Sequence, residues 1–172
     1  MYDVFSTKPS IIQTNAVATG SIPADTILVN CSLVNVYTRE IQENIQIAIK
    51  NERIAYVGPN AIHAKGKKTT IIDLKNRFVT PSFADPHIHI DHFALPSEFV
   101  KKSLLCGVTS LFPDSIDIVS VTGFRGFKEF VKQTQNLPMR FFHTIPGGLP
   151  VDRKFSHGRT LSLKEEKLAI KN

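Results

Sequence analysis

Apolar and polar positions change rhythm near residue 80. Between Asp25 and Thr80 lie five short runs, "TILVNCSLVNVYT", "NIQIAIK", "RIAYVG", "TTIIDL" and "RFVTP". They are rich in Val, Ile, Tyr and Thr, the composition of strands. "KNER" between the second and third runs reads as a tight hairpin turn, and "GPN" closes the third. Residues 25–80 therefore predict a small antiparallel β module. The lead segment 1–24 carries one short helix, in "SIIQTNAVAT", which Pro23 is expected to end. Beyond Pro81 strands and helices alternate. "SFADPHIHI" is a strand. "LPSEFVKKSLLCG" is a helix with Ser97 as its cap, Phe99, Val100, Leu104 and Leu105 on one face, and Gly107 as its stop. "VTSLFPD" is the next strand, and "GFRGFKEFVKQTQN" an amphipathic helix with Phe124, Phe127, Phe130 and Val131 on one side. "MRFFHTIP" is a third strand, and "GGLPVDRKFSHGRT" a long loop that contains His157. "SLKEEKLAIKN" opens a third helix, in which Ser162 and Glu165 form a capping box. Such alternation demands parallel strands joined by helical crossovers, so the fold class is α/β.

Composition narrows the function only by exclusion. The chain has 172 residues, 42% hydrophobic and 21% charged, and a net charge of +6, values of an ordinary globular protein. No window offers the 18 or more apolar residues of a membrane span. The first residues lack a charged region followed by an apolar one, so the expected compartment is the cytoplasm. The two cysteines, Cys31 and Cys106, lie far apart in apolar contexts and are expected to be buried, reduced thiols. The densest basic patch, "HAKGKKTT", has no aromatic ladder or nucleic-acid motif beside it and reads as a solvated loop. Neither nucleic acid nor a membrane is an expected partner.

The chemistry concentrates in "VTPSFADPHIHID". Alternate residues of a strand share a face, so Phe83, Asp85, His87, His89 and Asp91 are expected on one side, and Ala84, Pro86, Ile88 and Ile90 on the other. Two imidazoles two residues apart can converge on one ion at metal–nitrogen distances of about 2.0–2.1 Å. Asp85 is a candidate acceptor for the second nitrogen of a ligating ring. Ionisable groups alternating on one face are costly to bury without a partner or a cation. Pro86 weighs against an interior strand, because it has no N–H to donate to the ladder. His143, on the third strand, reads as a core or loop histidine rather than a catalytic one.

The order of these segments, "DTILVNCSLVNV…NIQIAIKNERIAYVG…TTIIDLKNRFVTPSFADPHIHI", resembles the amino-terminal part of the metal-dependent amidohydrolase superfamily. In that superfamily a β module precedes a strand of the form P-G-F-I-D-x-H-x-H and a (β/α)8 barrel. Pro81, Phe83, Asp85, His87 and His89 match; Ser82 replaces the usual glycine and Ala84 the usual isoleucine. Within the superfamily, "HIHID", "LPSEF", "GVTSLFPDSIDI" and "MRFFHTIPGGLPVD" are similar to the adenine deaminase family from about Ala24 onward. The resemblance implies a small β-sandwich module over 25–80 and, over 81–172, the first three β/α units of an incomplete TIM-like barrel. Barrels of this kind keep their chemistry at the carboxyl ends of the strands.

The resemblance further implies a divalent ion, Zn, Mn or Fe, held by His87 and His89, with Asp85 behind them. The implied reaction is hydrolysis of adenine to hypoxanthine and ammonia. Three further residues are candidates for a second metal or for substrate contact. Asp91 stands where the family has a metal-binding glutamate, and has the alternative reading of a solvated loop carboxylate. Asp117 replaces the glutamate of a family His-Glu pair whose histidine is Ile116 here. Asp114 matches a family aspartate, and reads equally as a helix amino-terminal acid. A complete barrel takes about 250 residues, so the remaining ligands and the catalytic residues are expected beyond Asn172, and the chain alone is expected to have little activity. The expected substrate is a purine base, and the expected assembly a homo-oligomer or a complementary chain. Two alternatives stay open: an amidohydrolase acting on a cyclic amide or N-acyl bond, and a non-catalytic remnant.

Overall fold

The computed structural model describes residues 8–146 and 158–171; the loop expected around His157 lies outside them. The chain divides into two compact units, Met1–Pro81 and Ser82–Asn172.

The first unit begins with helix α1, Lys8–Ala18. It ends well before Pro23. Gly20 takes the left-handed conformation, with φ 77°. Its N–H bonds the Val17 carbonyl at 3.0 Å, and the Ser21 N–H bonds that of Ala16 at 2.8 Å. This pair closes the last turn as a Schellman motif, which glycine enters at little steric cost. Four strands follow: β1 Thr26–Asn35, β2 Glu40–Lys50, β3 Arg53–Gly58 and β4 Thr70–Val79. Asn51, at φ 52°, makes the β2–β3 hairpin turn expected at "KNER".

The sheet order is β3-β2-β1-β4, and β4 runs parallel to β1. The sheet is therefore mixed, not purely antiparallel as expected. The reason is the connection over residues 59–69, which carries the chain from one sheet edge to the other. It does so through the 3-10 turn Ile62–Ala64, whose Ala64 is buried with Ala61 and Val17. "TTIIDL" and "RFVTP" form one strand rather than two. Lys75 and Asn76 have positive φ there, opposite a matching irregularity at Asn30 of β1. The Asn30 side-chain amide donates to Asp73 at 3.0 Å, and the Lys75 N–H donates to the same oxygen at 2.8 Å, which ties the two irregularities together.

The second unit is built on a parallel sheet in the order β5-β6-β7, with β5 Phe83–Ile88, β6 Val108–Pro113 and β7 Arg140–Phe141. Helix α2, Pro96–Leu105, joins β5 to β6. Ser97 is not its cap: Leu95 holds that position with extended backbone, and Pro96 occupies the first helical position, where a missing N–H costs nothing. Gly107, at φ 79°, stops the helix as expected, and Cys106 just before it is exposed at the helix end rather than buried, whereas Cys31 is buried. Two helices separate β6 from β7, α3 Ile116–Thr122 and α4 Phe124–Thr134. Helix α5, Leu163–Lys171, opens with the expected capping box: the Ser162 N–H donates to Glu165 Oε2 at 2.8 Å. The third strand is much shorter than "MRFFHTIP" suggests, with a further bridge between Asp114 and Thr144.

Ile90, Leu111 and Phe130 form one buried cluster of this unit, and Val119, Phe127 and Leu161 another. Pro86 is accommodated because the β5–β6 register slips between Asp85 and Ile88 and β5 lies at the sheet edge among the described strands. Among the described residues no helix is long and apolar enough to cross a membrane.

Candidate metal centre

The site lies at the carboxyl ends of β5 and β6. β5 stops at Ile88 because the next apolar residue, Ile90, is drawn to full burial beside Leu111 and Phe130. His89 follows with φ −103° and ψ 80°, and Ile90–His92 form a single 3-10 turn. The expected alternation therefore survives through the two histidines and fails at Asp91.

His87 and His89 face each other with their Nε2 atoms 3.1 Å apart. Two ligands each about 2.0–2.1 Å from a tetrahedral ion stand roughly 3.3 Å apart. His89 Nδ1 lies 2.9 Å from the backbone carbonyl of Asp114. A carbonyl only accepts, so that nitrogen carries the proton and Nε2 presents a lone pair. The orienting acceptor is thus a main-chain oxygen. Asp85, expected in that role, instead accepts the backbone N–H of His87 through Oδ1 at 3.2 Å.

Asp114 completes the group. One ligand atom from each of His87, His89 and Asp114 lies within 4.8 Å of the others. Asp114 Oδ1 is buried with no hydrogen-bond partner, a costly state for a carboxylate unless a cation shares the site. Two imidazoles and a carboxylate are donors that suit Zn, Mn or Fe.

Asp91 and Asp117 are engaged elsewhere. Asp91 Oδ2 accepts the N–H groups of Asp117 and Ile118 at 3.1 and 3.0 Å, at the start of α3. Asp91 thus takes the helix amino-terminal position that is one reading of Asp114, while Asp114, one of the three candidates for a metal or substrate contact, lies beside the histidines. Asp117 pairs with His92, both roughly half exposed. The His92 ring stacks on that of His89, with centroids 5.1 Å apart. Ile116 belongs to α3 and contributes no donor. Three features escaped the sequence: the Asp114 carbonyl, the His92–Asp117 pair, and the link from Asp91 to α3. A main-chain acceptor leaves no trace in residue type, and Asp91 finds its partners only through the turn that breaks the strand.

His143 sits apart, in an aromatic box. Its ring stacks on Phe141 and meets the edges of Phe127 and Phe130. Thr134 Oγ1 donates to the Val131 carbonyl at 2.7 Å and lies 2.8 Å from His143 Nε2, so it accepts the His143 proton. The other ring nitrogen is buried and bare. Burial lowers the pKa to about 4, which keeps the ring neutral. This is the core role expected of it.

No protein-family profile matches the chain. An adenine deaminase of Cenarchaeum symbiosum (strain A) is 53% identical over 161 residues, 94% of this chain and 26% of that protein. The chain is homologous to the amino-terminal portion of adenine deaminases, and its structural neighbours are amidohydrolase-superfamily members. Another, from Ruegeria sp. (strain TM1040), is 38% identical over 83% of this chain and 23% of its own length. The chain thus spans about a quarter of the length of the curated relatives it matches. Among solved structures, the L-hydantoinase (dihydropyrimidinase) of Arthrobacter aurescens superposes with a TM-score of 0.57 at 26% identity, over 74% of this chain and 29% of that one.

Proposed function

We propose that these residues form the first part of the active site of a metal-dependent hydrolase that removes the amino group of adenine as ammonia. One observation carries the reading: His87, His89 and Asp114, whose Oδ1 is buried without a partner, converge at the carboxyl ends of two parallel strands. The relatives are adenine deaminases, and that activity supplies the substrate class.

The donor set fits a divalent ion. His87 and His89 would hold it through Nε2, and Asp114 through a carboxylate oxygen. Bound there, such an ion supplies Lewis-acid activation of water and of the carbon under attack. The protein residues contribute position and charge. The Asp114 carbonyl fixes the tautomer and tilt of His89, and Asp85 pins the backbone of His87. The negative charge of Asp114 offsets that of the ion. Three protein ligands with an open position are the usual set of a catalytic zinc site. The catalytic acid and base are expected from the portion of the relatives that this chain does not span.

Elemental analysis of purified protein tests the site. The wild-type chain is expected to retain about one equivalent of Zn, Mn or Fe, and the double variant His87→Ala/His89→Ala none; equal metal in both would reject the assignment. Ammonia release from adenine by the full-length protein tests the substrate. A second reading, hydrolysis of a cyclic amide, draws on the likeness to L-hydantoinase. Turnover of hydantoin with none of adenine would favour it.

A further inference from the structure

We propose that Asp91 is a positioning residue of the metal half-site: its carboxylate holds the start of α3 and thereby fixes the Asp114 carbonyl that orients His89. The inference rests on the metal reading above and assigns Asp91 a role other than ligand.

Four hydrogen bonds lace residues 88–91 to residues 114–118. The Asp114 N–H donates to the Ile88 carbonyl at 2.9 Å. His89 Nδ1–H donates to the Asp114 carbonyl at 2.9 Å. The N–H groups of Asp117 and Ile118 donate to Asp91 Oδ2 at 3.1 and 3.0 Å. Ile90, between the donor His89 and the acceptor Asp91, is fully buried and anchors the turn. The lace therefore closes around His89 from both sides, and each bond spans about 25 residues of sequence. Removing one bond loosens the registration of the others.

The start of α3 has no support of its own. Ser115 occupies the cap position but makes no side-chain cap bond, and its hydroxyl is buried without a partner. First-turn N–H groups have no partner within the helix. Asp91 supplies an acceptor for two of them, and places a negative charge where the helix end favours one. Its geometry also argues against ligation. Among the described residues, the group of donors within reach of a common ion comprises His87, His89 and Asp114, without Asp91. The 3-10 turn that buries Ile90 carries Asp91 off the face that the histidines share.

The test uses the 172-residue chain with Asp91→Asn and Asp91→Ala, beside His87→Ala. In metal-free protein, amide exchange at Asp117 and Ile118 and the nitrogen-15 shifts of the His89 ring are read by NMR. Zn2+ affinity is then measured against a chromophoric chelator. Asparagine keeps an accepting oxygen, so Asp91→Asn is expected to stay within a few-fold of wild type in exchange and in Zn2+ affinity. Asp91→Ala is expected to speed exchange at the two amides by roughly tenfold. It should also move the His89 shifts toward a mixture of tautomers and weaken Zn2+ by roughly tenfold, the size typical of lost outer support, without changing the stoichiometry. If Asp91→Asn loses Zn2+ as fully as His87→Ala does, Asp91 is a ligand and the proposal is wrong. If Asp91→Ala leaves the exchange and the His89 shifts unchanged, Asp91 positions nothing. A wild-type chain that binds no Zn2+ overturns the half-site reading alone, because the exchange and ring-shift arms need no metal.

Discussion

The two units place their paired and unpaired polar groups differently. In the β module two exposed carboxylates, Asp25 and Asp73, each accept two hydrogen bonds. Asp25 takes the Lys50 ammonium at 2.6 Å and the Asn51 N–H at 2.7 Å. Asp73 takes the Asn30 amide and the Lys75 N–H. These bonds hold both carboxyl groups below the ordinary range, Lys50 being the main cause for Asp25 and the Lys75 N–H for Asp73. In the second unit the buried polar atoms without a partner, among the described residues, are Asp91 Oδ1, Asp114 Oδ1, Ser115 Oγ and His143 Nδ1. Three of the four crowd the ends of β5 and β6. Buried polar groups are nearly always paired, and each exception costs about 1–3 kcal/mol. The β module pairs these two carboxylates; the parallel unit leaves polar atoms unpaired around the ends of β5 and β6, and of these residues only Asp114 belongs to the group that could share an ion with the histidines.

The largest test of that contrast is acid. The His143 ring has a pKa of about 4 in the folded chain against an ordinary value of 6.5. As pH falls below 6.5 the unfolded chain takes up a proton that the folded chain refuses. Stability of the second unit is therefore expected to fall between about pH 6.5 and 4 and then level off. The full loss is about 3 kcal/mol, from 1.36 kcal/mol per pKa unit. His143→Phe, in a box already lined by Phe127, Phe130 and Phe141, should abolish this slope. Amide exchange of α4 against pH measures it in both proteins. An equal slope in the variant would show that the ring is not the group responsible.

What the sequence made legible follows the same division. Local rules read the local features: the turn at Asn51, the stop at Gly107 and the Ser162–Glu165 box all depend on residues within one turn of each other. Pairing between distant segments was not legible. Consecutive strands read naturally as hairpins, so the parallel placement of β4 on β1 was missed. Helix α3 was missed because Ile116, Ile118, Val119 and Val121 are β-branched and favour strand. Burial of Val119 and the acceptor from Asp91 override that preference. At the site, alternation placed His87 and His89 together, since β5 persists that far. It misplaced Asp91, since burial of Ile90 ends the strand first. Asp114 was named because it matches a family aspartate, but which aspartate faces the histidines depends on how two strand ends meet in space.

A smaller effect sharpens the β-module side of the contrast. Asp25→Ala removes the acceptor for the Lys50 ammonium and the Asn51 N–H, and Asn51 is the left-handed turn residue. The carboxylate is about half exposed, so solvent screens the ion pair, and the cost is expected to be about 1 kcal/mol. Because the Asp25 pKa is lowered on folding, the wild-type contribution is present above the ordinary carboxyl pKa and fades as pH falls through the folded one. Thermal unfolding of wild type and variant should therefore differ at pH 7 and converge toward pH 2. A constant difference at both would assign the loss to packing rather than charge.

The smallest expected effect is a change of sign between two serines at helix starts. Ser162→Ala removes a hydroxyl that accepts the Glu165 N–H at 3.4 Å and donates to its carboxylate at 2.7 Å, so it should cost about 0.5–1 kcal/mol, as lost caps do. Ser115 stands at the same position of α3, yet its hydroxyl bonds nothing and is 0% exposed. Asp91 already receives the N–H groups that a cap would serve. Ser115→Ala therefore removes a buried, unpaired polar atom and is expected to stabilise the metal-free chain by up to about 1 kcal/mol. That corresponds to a rise of about 2–4 °C in the melting temperature of a protein this size. A loss of the usual cap size at Ser115 would mean that its hydroxyl, not the Asp91 carboxylate, supports the start of α3, and the contrast between paired and unpaired groups would lose its sharpest case.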